Sequence, residues 1–148
     1  MTRLSFKLAA LLLAGAALPA AAAEYRTVAE PAIFYDAPTL RGKKLYVAPK
    51  GMPVEVVVSI EGWMKVRDRA GDLMWVERKA VTDKRNVVVS VPVAQLRDKP
   101  EEGARVVLEA GQDVSLELSE PPSGSGWVKV RHRDGVVAYV RVAQVWGL

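Results

Sequence analysis

Beyond the first 23 residues, apolar and polar positions alternate with a period of two in several short stretches, which is typical of half-buried β-strands. In residues 114–119 (VSLELS), Val114, Leu116 and Leu118 alternate with serine and glutamate, and residues 54–59 (VEVVVS) follow a similar rhythm. Glycines and prolines interrupt these stretches at short intervals, and no convincing helical stripe occurs there. The pattern predicts an all-β fold of many short strands, either a small barrel or a sandwich.

The first residues have the composition of a secretory signal. Arg3 and Lys7 precede an apolar run over residues 8–18, and three alanines follow at 21–23. A positive head, a short apolar run and small residues after it predict a signal peptide over residues 1–23 that is cleaved on export. An uncleaved anchor is disfavoured because a membrane-spanning helix needs about 20 apolar residues. We therefore expect a periplasmic or secreted protein with no stable membrane insertion after cleavage.

The composition argues against several classes of function. The 148 residues include 21 Lys+Arg and 17 Asp+Glu, and removal of Arg3 and Lys7 with the signal peptide lowers the net charge from +4 to +2. No basic stripe is interleaved with stacking aromatics, so nucleic-acid binding is not expected. The chain has no cysteine and one histidine, His132. Disulfides, a metal site and a catalytic triad are therefore not expected, and we predict a protein that is not an enzyme and uses no cofactor.

An internal repeat predicts the domain organisation. Residues 62–81 (GWMKVRDRAGDLMWVERKAV) align without a gap to residues 126–145 (GWVKVRHRDGVVAYVRVAQV), with 9 of 20 positions identical. Weaker matches continue upstream, between residues 34–38 and 96–100 and between residues 50–58 and 110–118. The repeat predicts two domains, residues 24–83 and residues 84–148.

The two domains are expected to pack against each other. A unit of about 60 residues buries only about 60% of the surface of its unfolded chain and is marginally stable alone. The stretch between the repeats is short, with Thr82 to Asn86 as its polar part. Trp146 is expected either to close the end of the second domain or to lie at the joint between the two.

The same ordered set of motifs occurs in both repeats. In the second repeat the matching residues are Leu96, Arg97, Pro100, Gly111, Gly126, Trp127, Lys129, Val130 and Gly135. In the first repeat they are Asp36, Pro38, Gly51, Gly62, Trp63, Lys65, Val66, Gly71, Trp75 and Val76. This order resembles that of bacterial SH3-like (SH3b) domains, although a second Gly-Trp pair of that family is replaced by Met74-Trp75 and by Ala138-Tyr139.

The resemblance implies two tandem small SH3-like β-barrels, each strongly bent and five-stranded. It also implies a role in binding, commonly of cell-wall material or of protein and peptide partners in the envelope. Because one fold serves many ligands, the resemblance does not identify the ligand of this chain.

The spacing within the repeat predicts which side chains face outward. A three-residue loop at 133–135, with its glycine in the left-handed conformation, pairs Val128 with Val140 on an apolar face and Lys129 with Tyr139 on the opposite face. The same register is expected in the first repeat. The candidate binding residues on the outward face are Trp63, Lys65 and Trp75 in the first repeat and Trp127, Lys129 and Tyr139 in the second, with Tyr35 and Tyr46 extending the first set.

Two interpretations of these aromatic strips remain open. In the first, the chain is a non-enzymatic exported binding module that recognises a cell-wall peptide or glycan, or an envelope protein, through the outward strip. In the second, it is a structural, scaffold or accessory subunit, and the strips form interdomain or protein–protein interfaces. Residues 120–126 (EPPSGSG), four residues longer than their counterpart, are interpreted as a mobile loop that could contact a ligand, with a tolerated insertion as the preferred interpretation. His132 is interpreted as a solvated residue rather than a ligand or a base.

Overall fold

The computed structural model describes residues 21–148, which form two seven-stranded antiparallel sheets, one from each repeat. The predicted signal peptide lies outside the described residues except for residues 21–23. The first sheet consists of β1 (Glu24–Val28), β2 (Ala32–Tyr35), β3 (Lys44–Ala48), β4 (Pro53–Ile60), β5 (Trp63–Arg67), β6 (Leu73–Glu77) and β7 (Val81–Thr82). A single 3-10 turn, Arg78–Ala80, separates β6 from β7.

The second sheet repeats the first. It consists of β8 (Asn86–Val89), β9 (Val93–Arg97), β10 (Val106–Gly111), β11 (Ser115–Leu118), β12 (Trp127–Arg131), β13 (Val137–Arg141) and β14 (Val145–Trp146), with a 3-10 turn at Val142–Gln144. The strand orders are β3-β2-β6-β5-β4-β1-β7 and β10-β9-β13-β12-β11-β8-β14, so corresponding strands occupy corresponding places. The prediction of an all-β chain built from two repeated units is confirmed.

Each sheet has seven strands rather than the five that the resemblance implied. The two additional strands lie at the start and the end of each repeat, where β1 pairs with the two-residue β7 and β8 pairs with β14. The first and the last strand of each repeat therefore lie side by side at one edge of the sheet. Bulges interrupt the pairing of β4 with β5 and of β9 with β10, and such bulges bend a strand and increase its twist.

The predicted hairpin register is confirmed in both domains. Val128 pairs with Val140 and Lys129 with Tyr139. The backbone N–H of His132 donates to the carbonyl of Val136 at 2.9 Å, which leaves residues 133–135 as the loop. The first domain has the same pairing, with Met64 opposite Val76, Val66 opposite Met74 and Lys65 opposite Trp75.

One face of each hairpin forms the core of its domain. The fully buried side chains include Phe34, Val54, Val66 and Val76 in the first domain and Leu96, Leu116, Val130 and Val140 in the second. Complete burial of one such apolar side chain stabilises a fold by about 1.5 to 3 kcal/mol relative to exposure, which is an upper bound. The alternation seen in the sequence therefore separates a dry face from the face that bears the aromatic strip.

A hydrogen-bonded cluster joins the two domains at the start of β8. The backbone N–H of Asn86 donates to Thr27 Oγ1 at 3.0 Å, and its side-chain Nδ2 donates to the carbonyl of Gly51 at 3.0 Å. Nδ2 also lies 3.0 Å from Ser115 Oγ, and that hydroxyl donates to the same Gly51 carbonyl at 2.6 Å. Residues from three strands and one turn thus share a single polar junction.

Aromatic and charged contacts flank this junction. The ring of Trp146 meets Tyr25 edge-on at 5.3 Å between centroids, and the guanidinium of Arg85 lies 5.3 Å from the Tyr25 ring. Burial, followed by the nearby carboxylate of Glu55, raises the pKa of Tyr25 above its ordinary value. Of the two positions expected for Trp146, the structure gives the one at the joint.

Candidate ligand-binding site

In the second domain the outward face of β12 and β13 forms a short strip of aromatic and cationic side chains. We call Trp127, Lys129 and Tyr139 the second strip. Trp127 and Lys129 are half-buried, and Lys129 Nζ lies 5.9 Å from the centroid of the Tyr139 ring. The guanidinium of Arg141, opposite Trp127 in the register, lies 4.8 Å from the Trp127 ring. Such cation–π contacts contribute about 0.5 to 1 kcal/mol each at exposed sites and hold the rings in place.

The first domain has an equivalent strip on β5 and β6. Trp63, Lys65 and Trp75, which we call the first strip, are half-buried, and Lys65 Nζ lies 5.9 Å from the Trp75 ring. Tyr35, on the adjacent β2, meets Trp63 edge-on at 5.5 Å between centroids. The tyrosine therefore occupies the space beside the tryptophan in this domain.

A pocket of about 310 Å³ opens against the second strip. Its floor includes Trp127, Lys129 and Tyr139, and its walls come from Pro100 and from residues of the 120–126 loop. The loop residues that line it are Glu120, Pro121, Ser123 and Ser125. The three candidate residues of the second domain are thus brought together on one concave surface.

One residue difference explains why the second strip is open beside Trp127. The register places Tyr35 beside Trp75 in the first domain and Arg97 beside Tyr139 in the second. Arg97 extends away from the strip, because its Nη1 donates to the carbonyl of Ala104 at 2.6 Å. No ring therefore covers Trp127 as Tyr35 covers Trp63.

The open pocket presents both signs of charge. Glu120 stands on the loop wall and Lys129 on the floor. Arg141, which covers one side of the Trp127 ring, is ion-paired with Glu102. An aromatic floor bounded by one carboxylate and one ammonium group suits a ligand that carries both amino and carboxyl groups next to apolar or ring surface.

Two expectations about the first domain require correction. Tyr35 is only 5% exposed, so it fills the first strip rather than extending an exposed surface. Tyr46 is exposed, at 37%, but it pairs with Phe34 in the register and its ring lies 5.3 Å from that buried side chain, so it is on the face of the sheet that bears Phe34. Its hydroxyl donates to Asp68 at 3.3 Å, and partial burial together with this carboxylate raises its pKa.

Of the two roles considered for the 120–126 loop, contact with a ligand gains support, because residues of the loop line the pocket. Its contribution depends on how the loop folds over β12, and composition does not show this. Ser125 orders the end of the loop, because its hydroxyl accepts from the backbone N–H of Trp127 at 3.4 Å. Excess length over the first repeat was the one signal in the sequence that pointed to this segment.

Other candidate chemistry is sparse in the part of the chain that the structure describes. His132 is enclosed more than expected, with 16% of its side chain exposed, and its Nδ1 lies 2.8 Å from Asp134 Oδ1. Within residues 21–148 no group of three or more metal-ligating side chains is arranged to hold an ion. The same residues include no helix with the length and apolarity of a membrane span.

Three solved structures are similar to this chain at low sequence identity. They are NlpC2 and NlpC1 from Trichomonas vaginalis, each 13% identical with TM-scores of 0.37 and 0.36, and an NlpC/P60 family protein from Bacillus cereus ATCC 10987, 19% identical with a TM-score of 0.36. The alignments cover 82%, 82% and 83% of this chain, but 46%, 44% and 56% of the other chains. The chain thus spans about half the length of these proteins.

Comparison at the sequence level gives the family. No curated protein matches the chain. The family model of the bacterial SH3 domain matches it twice, at residues 28–83 and 90–147, which together are more than half of the sequence. The two matches coincide with the two sheets and with the repeat that the sequence contains. The chain therefore belongs to the bacterial SH3 domain family, with one such domain in each half.

Proposed function

We propose that the chain is an exported, non-enzymatic binding module of the cell envelope. In this proposal the pocket of the second domain recognises a cell-wall peptide or another peptidoglycan-type ligand. The observation that supports it most is the concave site formed by Trp127, Lys129 and Tyr139 beneath the 120–126 loop. Membership of the bacterial SH3 domain family supports the same class of function. No nucleic acid and no cofactor enter this proposal.

The chemistry of the pocket favours a short, polar ligand. Its volume of about 310 Å³ lies at the small end of the range for ligand sites, about 300 to 1,000 Å³. Rigid aromatic side chains supply contact area at little cost in conformational entropy, and Trp and Tyr dominate binding energy in many interfaces. Glu120 and Lys129 would orient the amino and carboxyl groups of such a ligand.

The two domains supply a matched pair of variants for a test. Trp127→Ala removes the floor of the open pocket, whereas Trp63→Ala removes the equivalent ring where Tyr35 already fills the space. In cosedimentation with purified cell-wall sacculi, we expect Trp127→Ala to lower the apparent affinity by about tenfold or more, as for a central aromatic contact. We expect Trp63→Ala to pellet like the parent protein.

Three results would count against the proposal. Parent protein that stays in the supernatant has no wall affinity, and equal losses in both variants would indicate a general effect of removing tryptophan. Full retention of binding by Trp127→Ala would place the wall site elsewhere. Unfolding midpoints of both variants should be compared first, so that a loss of pelleting is not a loss of structure.

The alternative, a structural or accessory role through the strips, divides into two parts. The interdomain part has little support, because the contacts described between the domains involve residues such as Asn86, Gly51 and Trp146. The part in which a strip contacts another protein keeps some support from the exposed apolar side chains of β3, where Leu45 and Val47 face solvent. Absence of sacculus binding together with stable capture of an envelope protein would favour it.

A further inference from the structure

A large cleft lies between the two domains, and the residues of the polar junction, Thr27, Gly51, Asn86 and Ser115, are part of its lining. Its volume is about 900 Å³, and residues of both domains line it. Part of its lining is apolar: Pro49 and Met52 of the first domain and Val114 of the second keep exposed surface there, whereas the lining residues Val28, Pro53 and Val88 are almost completely buried. None of the strip residues lines this cleft, so it is separate from the pocket described above.

The charges that line the cleft are unbalanced. Five cationic side chains line it, Lys50, Arg69, Lys84, Arg131 and Arg133, against the two carboxylates Asp113 and Glu117. Each carboxylate is already paired, Asp113 with Arg69 at 2.6 Å and Glu117 with Lys84 at 3.1 Å. The cleft therefore has a partly apolar lining and an excess of three positive charges.

Three of the five cationic side chains, Lys50, Arg131 and Arg133, are not paired with a carboxylate of the cleft lining. Lys50 pairs with Glu30 at 2.8 Å, but this glutamate is exposed and does not line the cleft. Within residues 21–148, neither Arg131 nor Arg133 makes an ion pair, since Glu117, which lies opposite Arg131 in the register, is paired with Lys84, and both arginines are exposed. A cleft with low-dielectric walls and charge of one sign concentrates ligands of the opposite sign.

Asp113 shows a second unusual feature at the cleft. It has a φ of +66°, and no other non-glycine residue of the described chain has a positive φ. Gly51, with a φ of +87°, holds this place in the first domain, because its N–H donates to Val28 as that of Asp113 donates to Val89. The structure thus shifts the sequence alignment of residues 50–58 with 110–118 by two residues. Left-handed backbone in an L-residue costs about 1 to 2 kcal/mol, somewhat less for aspartate, and such outliers tend to mark functional positions. In this conformation the carboxylate accepts two hydrogen bonds from Arg69, across the domain boundary.

We propose that the interdomain cleft is a second binding site, which takes an extended acidic segment of a partner protein. Carboxylates of the segment pair with Arg131, Arg133 and Lys50, and its apolar side chains lie on the apolar part of the lining. Asp113 occupies Arg69 in the free protein and competes with the incoming carboxylates for it. The proposal does not depend on the wall-binding function proposed for the second strip.

The apolar part of the lining favours a peptide over a polyanion such as polyphosphate or an anionic glycan. Such polymers carry charge at every unit and have little apolar surface to place against Pro49, Met52 and Val114. An acidic peptide supplies both carboxylates and apolar side chains, because alternate side chains of an extended chain point to opposite sides. Burial of apolar area adds about 25 cal/mol per Å² to the charge pairing.

The test uses the full protein and a defined probe. A fluorescein-labelled hexapeptide of alternating glutamate and leucine is titrated by fluorescence anisotropy, beside the same peptide with glutamine for glutamate. We expect the acidic peptide to bind at least about tenfold more tightly, and its affinity to fall as salt is added. The double variant Arg131→Ala plus Arg133→Ala should weaken it by about tenfold, as expected for the loss of two exposed ion pairs.

Matched variants separate the cleft from charge in general. Lys43→Ala plus Lys44→Ala removes the same charge from two exposed positions outside the cleft and should change the affinity little. Asp113→Gly suits the backbone conformation and frees Arg69, so it should strengthen binding by about threefold. Trp127→Ala should leave this binding unchanged even if it abolishes sacculus binding.

The proposal is overturned by equal affinity for the two peptides, by equal losses in the two double variants, or by weaker binding in Asp113→Gly. It is also overturned if polyphosphate of matched charge binds more tightly than the acidic peptide and depends on the same arginines. In that case the cleft would be a polyanion site rather than a peptide site.

Discussion

Gly147 lies where the two domains meet, and its backbone leaves no room for a side chain. Its φ is +112°, and a Cβ there would lie 3.2 Å from the carbonyl oxygen of Asn86 and 3.3 Å from Pro53 Cβ. Gly135, in the loop of the β12–β13 hairpin, also has a positive φ of +91°, but a Cβ there would meet nothing within 4 Å. The two glycines share the conformational requirement and differ in crowding.

We therefore predict that Gly147→Ala destabilises the protein more than Gly135→Ala. The loop variant should lose about 1 kcal/mol of unfolding free energy through backbone strain alone. The joint variant should lose a further 1 to 3 kcal/mol or so, because overpacking displaces its neighbours. Urea unfolding of both variants measures the difference. Equal losses of unfolding free energy would show that the neighbours of residue 147 move aside at no energetic cost.

At the scale of elements, the two hairpins are nearly interchangeable and their neighbours are not. β5–β6 and β12–β13 have the same register, the same loop length and the same outward Trp and Lys, although Trp75 and Glu77 of the first hairpin are replaced by Tyr139 and Arg141 in the second. The strand beside them differs, since β2 offers Tyr35 at the position where β9 offers Arg97. The same hairpin is thus closed in one domain and open in the other.

This comparison predicts the effect of Arg97→Tyr. The new ring should pack edge-on against Trp127 as Tyr35 packs against Trp63, and fill the pocket beneath the 120–126 loop. Sacculus binding should fall by about tenfold although Trp127 is retained, and acrylamide should quench tryptophan fluorescence less. Arg97→Lys is the control, because a flexible side chain should leave the pocket open. Undiminished binding by Arg97→Tyr would argue against the pocket as the wall site.

On the scale of the whole molecule, a small number of polar groups set how the domains sit together. The carbonyl of Gly51 accepts from both Asn86 Nδ2 and Ser115 Oγ. Removal of either donor leaves the carbonyl with one partner, whereas removal of both leaves a partly buried acceptor unsatisfied. The two losses should therefore not be additive.

We predict that Asn86→Ala and Ser115→Ala each cost about 0.5 to 1.5 kcal/mol, the usual net value of one hydrogen bond. The double variant should lose at least 1 kcal/mol or so more than the sum of the two, because it unpairs the Gly51 carbonyl. Calorimetry should show one unfolding transition in the parent and two in the double variant. A strictly additive loss with a single transition would mean that the junction does not couple the domains.

Much of the fold was readable from the sequence because the signals are local. Alternation with a period of two identified the strands, the spacing of Gly135 from its neighbours gave the loop length, and these together gave the pairing of Lys129 with Tyr139. The outward position of Trp63 and Trp127 follows from the same parity. Each inference depends on residues within about ten positions of one another.

The neighbours of Tyr35, of Tyr46 and of the 120–126 loop could not be predicted, for a different reason. Tyr35 meets Trp63, and Tyr46 meets Phe34 and Asp68, through pairings between strands that are distant in the chain. Parity along one strand does not show which face the next strand covers. Nor does a loop's composition show whether it folds over a strip or away from it.

Three features followed from the sequence alone: two all-β domains of one family, their hairpin registers, and the side of the sheet on which the aromatic strips lie. They could be predicted because backbone alternation and turn geometry act over a few residues. The tertiary structure alone decided that the first strip is closed and the second open, and that Asn86, Gly51 and Trp146 build the joint. It also brought Arg131 and Arg133 to a cleft shared with the first domain. These features arise from contacts between segments far apart in the chain, whose relative placement depends on the packing of the whole molecule.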